Sequence, residues 1–412
     1  MKKNDVVIVG GGPGGTCTAL HLASQGISST IIERVPFPRY HIGESMTGEC
    51  GAAIRRLGLE AEMTRRNHPV KYGVSVYGPD GKNTFWVPVM KRDDEGNLHE
   101  ASTWQVRRSD FDKMLLDEAE KRGSTVIEGS AVDVIKPNGH VEGVKIKTAD
   151  GQVSEIPARV VVDASGQSTF LSRCGLTSEK CRGNYDSQIA IFSQVTGAIR
   201  DEGPSGGNTL IFYKQKNHWA WFIPITEDVV SVGVVVPNDH FKATGESLHD
   251  FMVRELGELH PEFVRRLENC ELVEEVRACS NYSYDIAHFT GPGYLCVGDS
   301  HRFVDPVFSF GLHFAVKEAE FAASAIVDYL NGATAKEANP FAEYERLATG
   351  GMDVIQDLID CFWDHPLPFV LITHMKHRED MIDLFAGRVY LNKEPKGLTA
   401  LRDVLAVQRE AV

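Results

Sequence analysis

Two kinds of apolar pattern run along this chain of 412 residues. Near the start, Asp5-Val6-Val7-Ile8-Val9 is a short continuous apolar run, the pattern of a strand buried on both faces. It passes through a glycine-rich turn into a helical run, Thr16 to Gln25, closed by Gly26, and a second apolar strand follows at Ser29 to Ile32. Strand, helix, strand in that order predicts a Rossmann-type sheet. Further on, the strand-like runs Gln188 to Thr196, Asn208 to Lys214, Trp219 to Ile225 and Val229 to Val236 succeed one another across short turns, which predicts an antiparallel sheet. Within Trp219-Ala220-Trp221-Phe222-Ile223-Pro224, alternation puts Trp219, Trp221 and Ile223 on one strand face. Ala315 to Asn331 predicts a long helix stopped by Asn331-Gly332, and the residues beyond about 335 are rich in helix formers and bulky apolar side chains.

Length and composition narrow the picture without deciding it. The chain exceeds the usual single-domain size, and its 24% charged and 42% hydrophobic residues are ordinary globular values. A formal charge of -14 argues against nucleic acid, whose affinity comes largely from Lys and Arg neutralising phosphates. The eight cysteines are scattered, with no C-x-x-C pair and no zinc spacing, so reduced thiols and no metal are expected. Met1 to Asp5 leads straight into the first strand without an apolar signal region, and no apolar stretch approaches the ~20 residues a bilayer requires. No membrane association and a cytoplasmic location are the expectations.

The first chemistry lies in Gly10-Gly11-Gly12-Pro13-Gly14-Gly15. Gly10, Gly12 and Gly15 fit G-x-G-x-x-G between strand and helix, where small residues let the backbone approach a pyrophosphate at the positive helix N-terminus, and Pro13 and Gly14 complete the turn. Glu33 follows Gly15 by 18 residues, where an acidic side chain binds adenosine ribose hydroxyls. NAD and FAD both remain open at this point. Gly291-Pro292-Gly293-Tyr294-Leu295-Cys296-Val297-Gly298-Asp299 resembles the second FAD motif of the aromatic hydroxylase superfamily. Arg159-Val160-Val161-Val162-Asp163-Ala164-Ser165-Gly166 resembles that family's middle motif, and Gln105-Val106-Arg107-Arg108-Ser109-Asp110 its helix-opening segment near the flavin. The resemblance implies FAD, held also by Asp163, Gly298, Asp299 and Arg107, with Arg108 as the neighbouring alternative.

Other segments resemble flavin-dependent halogenases. Phe37-Pro38-Arg39-Tyr40-His41-Ile42-Gly43-Glu44-Ser45 is similar to the halogenase loop that lies against the flavin, which adds Arg39 and Ser45 to the cofactor contacts. Trp219-Ala220-Trp221-Phe222-Ile223-Pro224 is similar to the family's W-x-W-x-I-P string, and Asn67-His68-Pro69-Val70-Lys71-Tyr72-Gly73 to its lysine segment. In the family, reduced FAD and oxygen convert halide to hypohalous acid, and the lysine delivers it to a separate substrate site by hydrogen bonding or as a haloamine. Lys71 is therefore the expected catalytic residue, and burial would suit it by lowering its pKa. Asp305-Pro306-Val307-Phe308-Ser309-Phe310-Gly311-Leu312 stands where carrier-protein-type halogenases usually show D-P-V-F-S-S-G. The family holds halide on backbone N–H groups there, here Phe310 and Gly311, with Leu312 against the flavin. Phe308, Phe314, Trp219 and Trp221 are the expected substrate-cavity residues. His218, His301 and His313 sit close to these motifs and read as structural.

The expected class is α/β (α+β): a Rossmann-type FAD-binding domain at 1-174 and 275-333, an inserted antiparallel-sheet substrate domain at 175-274, and a helical C-terminal region at 334-412. The resemblance implies a phenol or pyrrole substrate, tethered or not to an acyl or peptidyl carrier protein. It also implies chloride or bromide as the halogen source and a separate flavin reductase. A flavin monooxygenase or dehydrogenase on the same scaffold is the alternative, and a non-catalytic FAD-binding partner protein the second.

Overall fold

A computed structural model describes residues 4–79, 84–183, 185–334 and 337–409. Met1 to Lys3, where no signal region is expected, and the last residues of the expected C-terminal region lie outside them. The first apolar run forms Asn4–Val9, the central strand of a parallel set. Ser29–Glu33 and then Thr125–Glu128 flank it on one side, and Val153–Asp163 and then Tyr294–Cys296 on the other. Val6, Val7 and Ile8 are wholly buried, each contributing about 1.5–3 kcal/mol of apolar burial. They are covered by the helices Pro13–Ser24 and Gly311–Leu330, which pack on each other. Val153–Asp163 is long enough to serve two neighbours: its C-terminal half is parallel to Asn4–Val9, while its N-terminal half pairs antiparallel with Gly143–Lys147.

The second sheet runs in the order Glu271–Leu272, Gln188–Thr196, Val229–Pro237, His218–Pro224, Thr209–Gln215, Gly73–Tyr77, Thr84–Pro88, with Arg277–Ser280 also pairing Gln188–Thr196. Three strands thus come from outside the expected 175-274 insertion, and Thr209–Gln215 meets Gly73–Tyr77 in parallel. Chain alternation identifies a strand but not its partner, which is why the sequence boundaries fall short. The two faces separate as the alternation predicts. Trp219, Trp221 and Ile223 pack in one apolar cluster, and Ala220 and Phe222 in another under the helix Leu248–Leu259. Gly233 lies opposite Trp221, and a Cβ there would come within 2.4 Å of the indole, so the glycine makes room for the ring.

The C-terminal region folds as Ala342–Asp364, Pro366–Leu371, a π-helical turn Ile372–Lys376, Arg378–Ala386 and Lys396–Arg409. Among the described residues no helix is long and apolar enough to cross a membrane, and no cluster of three or more His, Cys, Asp or Glu is placed to hold a metal.

Candidate active site

The glycine turn is shaped by three different demands. Gly10 sits at φ +109°, and a Cβ there would lie 2.3 Å from the Ala164 carbonyl oxygen. Gly15 lies behind the turn, where a Cβ would meet the Gly10 carbonyl oxygen at 2.0 Å, so it serves helix packing and does not line the cavity. Gly12 is the open one: its nearest neighbour would be Arg39 Nη2 at 3.7 Å, across free space. Pro13 begins the helix, whose first-turn amides have no acceptor of their own. Glu33 is fixed beside them, accepting from the Gly11 amide at 2.7 Å and the Val35 amide at 2.9 Å.

From this turn a cavity of about 1090 Å³ runs between the two sheets. That exceeds the ~300–1,000 Å³ of an ordinary small-molecule pocket. Gly10, Gly12, Pro13, Gly14 and Glu33 line it, with Arg39, Ser45 and Asp299, and with Trp219, Trp221, Phe310, Gly311, Leu312 and Phe314. A dinucleotide with a long bridge fits such a space: the unfilled face of Gly12 and the helix start suit a pyrophosphate, and Glu33 suits a ribose. Asp299 lines the same cavity, its carboxyl pushed up to about 7 by burial. The residues present therefore fit FAD.

Several expected contacts act from behind the wall. Asp163 is fully buried, and its carboxylate accepts from the amides of Ser165 at 2.9 Å and Leu171 at 2.7 Å, so it holds the loop that lines the cavity. Gly298, at φ +64°, donates its amide to Glu318 Oε2 at 2.6 Å and turns the chain toward Asp299. Arg107 is a correction. It caps the helix Arg108–Lys121 in extended conformation, and its half-exposed side chain reaches Glu274 at 3.5 Å. One residue on, Arg108 points inward, grips Asp112 with two bonds of 2.7 and 2.9 Å, and donates to the carbonyls of Ile42 and Gly43 in the cavity wall. The turn entering the helix decides which arginine faces in, and the sequence carries no mark of it. Glu44, which nothing in its motif singles out, also lines the cavity, and burial pushes its carboxyl up to about 7.

Phe310 caps the N-terminus of Gly311–Leu330, with its ring tilted on Phe314 at 5.8 Å. The first-turn amides at this second helix start form a ready anion site, and a Cβ on Gly311 would meet nothing within 4 Å. Phe308 does not share this cavity. It lies on the far side of Ser309, in a separate cavity of about 40 Å³ walled by Val74, Val76, Phe85, Phe362 and Phe385. Lys71 opens into that second cavity. Its Nζ donates to Ser45 Oγ at 2.9 Å and to the Met46 carbonyl at 3.0 Å, and burial pushes its pKa down from 10.5 to about 7. Ser45 Oγ in turn meets Thr209 Oγ1 at 2.9 Å, and Gln105 Nε2 donates to Thr209 Oγ1 at 2.7 Å. Ser45 lines the large cavity and binds the lysine of the small one, while Ser309 lines both.

The three histidines are buried and hydrogen-bonded outside the large cavity: His218 to Glu255, His301 to Glu318 and His313 to Thr47.

The family model described as FAD binding domain matches residues 3–352. The chain is 39% identical over 406 residues to a 1H-pyrrole-2-carbonyl-[peptidyl-carrier protein] brominase of Pseudoalteromonas luteoviolacea, covering 98% of this chain and 97% of that protein. A chlorinase acting on the same kind of carrier-bound group, from Pseudomonas fluorescens, is 28% identical over 98% of this chain and 93% of its own length. The solved structure of the flavin-dependent brominase Bmp2 superimposes with a TM-score of 0.92 at 37% identity, covering 100% of both chains. By sequence and by fold, this chain belongs to the flavin-dependent halogenases.

Proposed function

We propose that the chain transfers halogen from bromide or chloride to a pyrrole or phenol ring carried as a thioester on a peptidyl carrier protein, with Lys71 passing the halogen on. FAD, reduced by a separate reductase, would supply the oxygen-dependent oxidation of halide to hypohalous acid. The protein's part is placement. Gly12 and the amides after Pro13 would hold the pyrophosphate, Glu33 the adenosine ribose and Asp299 the ribityl hydroxyls. The amides of Phe310 and Gly311 would hold the halide at a helix start that favours anions.

The observation that carries this reading is the state of Lys71. Its two hydrogen bonds go to acceptors, Ser45 Oγ and the Met46 carbonyl. A neutral amine has two N–H groups, so its lone pair remains free. Burial, which pushes its pKa down to about 7, favours that form. A free lone pair is what hydrogen bonding to hypohalous acid, or forming a haloamine with loss of water, demands. The apolar walls beside it, with Phe308, Phe362 and Phe385, suit a flat aromatic ring. The carrier-bound substrate is supported by the two relatives named for pyrrole-2-carbonyl carrier proteins.

The test is mass spectrometry of products formed with FAD, a flavin reductase, bromide or chloride, and pyrrole-2-carbonyl or phenol thioesters on a carrier. Halogenated acyl carrier is the expected product. Hydroxylated product without halide dependence would sink the proposal.

A further inference from the structure

The segment from Pro366 to Lys376 has two unlike faces. Inward, Phe369 is buried with its ring parallel to Phe308 at 6.3 Å and edge-on to Phe362 at 5.4 Å, and Ile372 is buried beside them. This face backs the aromatic wall of the Lys71 cavity. Outward, Leu367 and Met375 are 78% and 73% exposed, and Val370 and Leu371 more than 40%. No other nine-residue stretch among the described residues exposes more than two large apolar side chains. So dense an apolar patch marks a contact surface.

Charge says what kind of partner fits. Of the carboxylates flanking the patch, Asp364 is tied to Lys216 at 2.6 Å, Glu379 reaches Arg92 at 3.5 Å, and Asp380 accepts from the Gly397 amide at 2.7 Å. Lys376 and Arg378 are exposed and make no ion pair among the described residues. In a chain of formal charge -14, two unpaired cations beside four exposed apolar side chains favour an acidic, amphipathic partner. We infer that this face docks the carrier protein: apolar helix contacts settle on Leu367, Val370, Leu371 and Met375, and acidic groups or the phosphate of the phosphopantetheine arm meet Lys376 and Arg378. The inference rests on the carrier reading above and adds where the carrier sits. A carrier held here has its arm directly outside the Phe369–Phe308 wall, on the side of Lys71.

The test uses a stand-alone peptidyl carrier protein charged with pyrrole-2-carboxylate, alongside the N-acetylcysteamine thioester of the same acid, and two double variants, Lys376→Glu with Arg378→Glu and Leu367→Ser with Met375→Ser. Each variant should raise KM for the charged carrier about tenfold or more, the charge pair mainly through a slower, less salt-sensitive association. Turnover at saturating carrier, FAD content and use of the small thioester should stay as in the unchanged enzyme. If the unchanged enzyme prefers the carrier and both variants keep its KM, the docking surface is wrong and the carrier reading stands. If it uses the small thioester as efficiently as the carrier, the carrier reading fails and the surface with it.

Discussion

At the glycine end of the large cavity, the shaping residues are neighbours in sequence: Gly10 to Gly14 make one turn, and Glu33 closes it from the next strand along. In the separate small cavity at Lys71 nothing is local. Lys71 is bound by Ser45, Ser45 touches Thr209, Thr209 is held by Gln105, and the cavity closes with Phe308, Phe362 and Phe385. The first end is a backbone device, set by absent side chains. The second is a side-chain device, set by a buried amine and the groups that turn it. Damage to the first should abolish binding, and damage to the second should spare binding while stopping chemistry.

Lys71→Met is the sharpest way to break that contrast. Halogenation should fall by about 100-fold or more, the usual scale for losing a proton-handling or nucleophilic group. FAD content and reoxidation of the reduced cofactor by oxygen should persist, which stopped-flow absorbance measures. The same variant probes pH. Folding lowers the Lys71 pKa from 10.5 to about 7, so between those values the unfolded chain keeps a proton that the folded chain has lost. Stability therefore gains a component that rises with pH across that window, and denaturant titrations of Lys71→Met should lack it. The unchanged enzyme should gain halogenating rate as pH climbs through about 7.

Gly12→Val should empty the protein of FAD and leave the fold intact, because its side chain enters open cavity space; Gly15→Val, facing a carbonyl at 2.0 Å, should prevent folding. Absorbance at the flavin band and thermal melting separate the two. Stoichiometric FAD in Gly12→Val would erase the distinction between the ends.

The adjacent arginines give a smaller, cleaner pair. Arg108→Ala leaves the buried Asp112 carboxylate with only the longer 3.8 Å pair to Arg39 and should cost about 3 kcal/mol of stability. Arg107→Ala breaks an exposed contact with Glu274 and should cost at most about 1 kcal/mol.

Phe310→Ser ranks last. It opens volume against Phe314 while keeping the backbone amides, so halide dependence should survive and the number or position of halogens added should shift, read by product mass spectrometry. A new halide requirement appearing only in the variant would mean that the ring blocks the anion site.

The difference between the ends also explains what could be read from the sequence. The glycine turn, Glu33, the Trp219 and Trp221 face and the long helix expected at Ala315 to Asn331 follow from spacing and alternation over a few residues, although that helix begins four residues earlier, at Gly311. The extra strands Gly73–Tyr77 and Thr84–Pro88 carry a strand pattern but no label for their neighbour. The choice between Arg107 and Arg108 depends on one residue's rotation at a helix start. Asp163 and Gly298 sit in recognised motifs, yet they act through the loops they hold. That the lysine and the large cavity meet at Ser45 is a product of tertiary assembly alone.

The composition of the large cavity has one more consequence. Trp219 and Trp221 are joined there by Tyr40, Tyr282 and Cys279, so the space where an electrophilic oxidant would arise is lined with electron-rich rings and a thiol. On the proposed route past Ser45 to Lys71, every equivalent that strays would meet a susceptible side chain. On that route the catalyst would age by cycles completed rather than by time, each misdirected oxidant marking the wall it strikes.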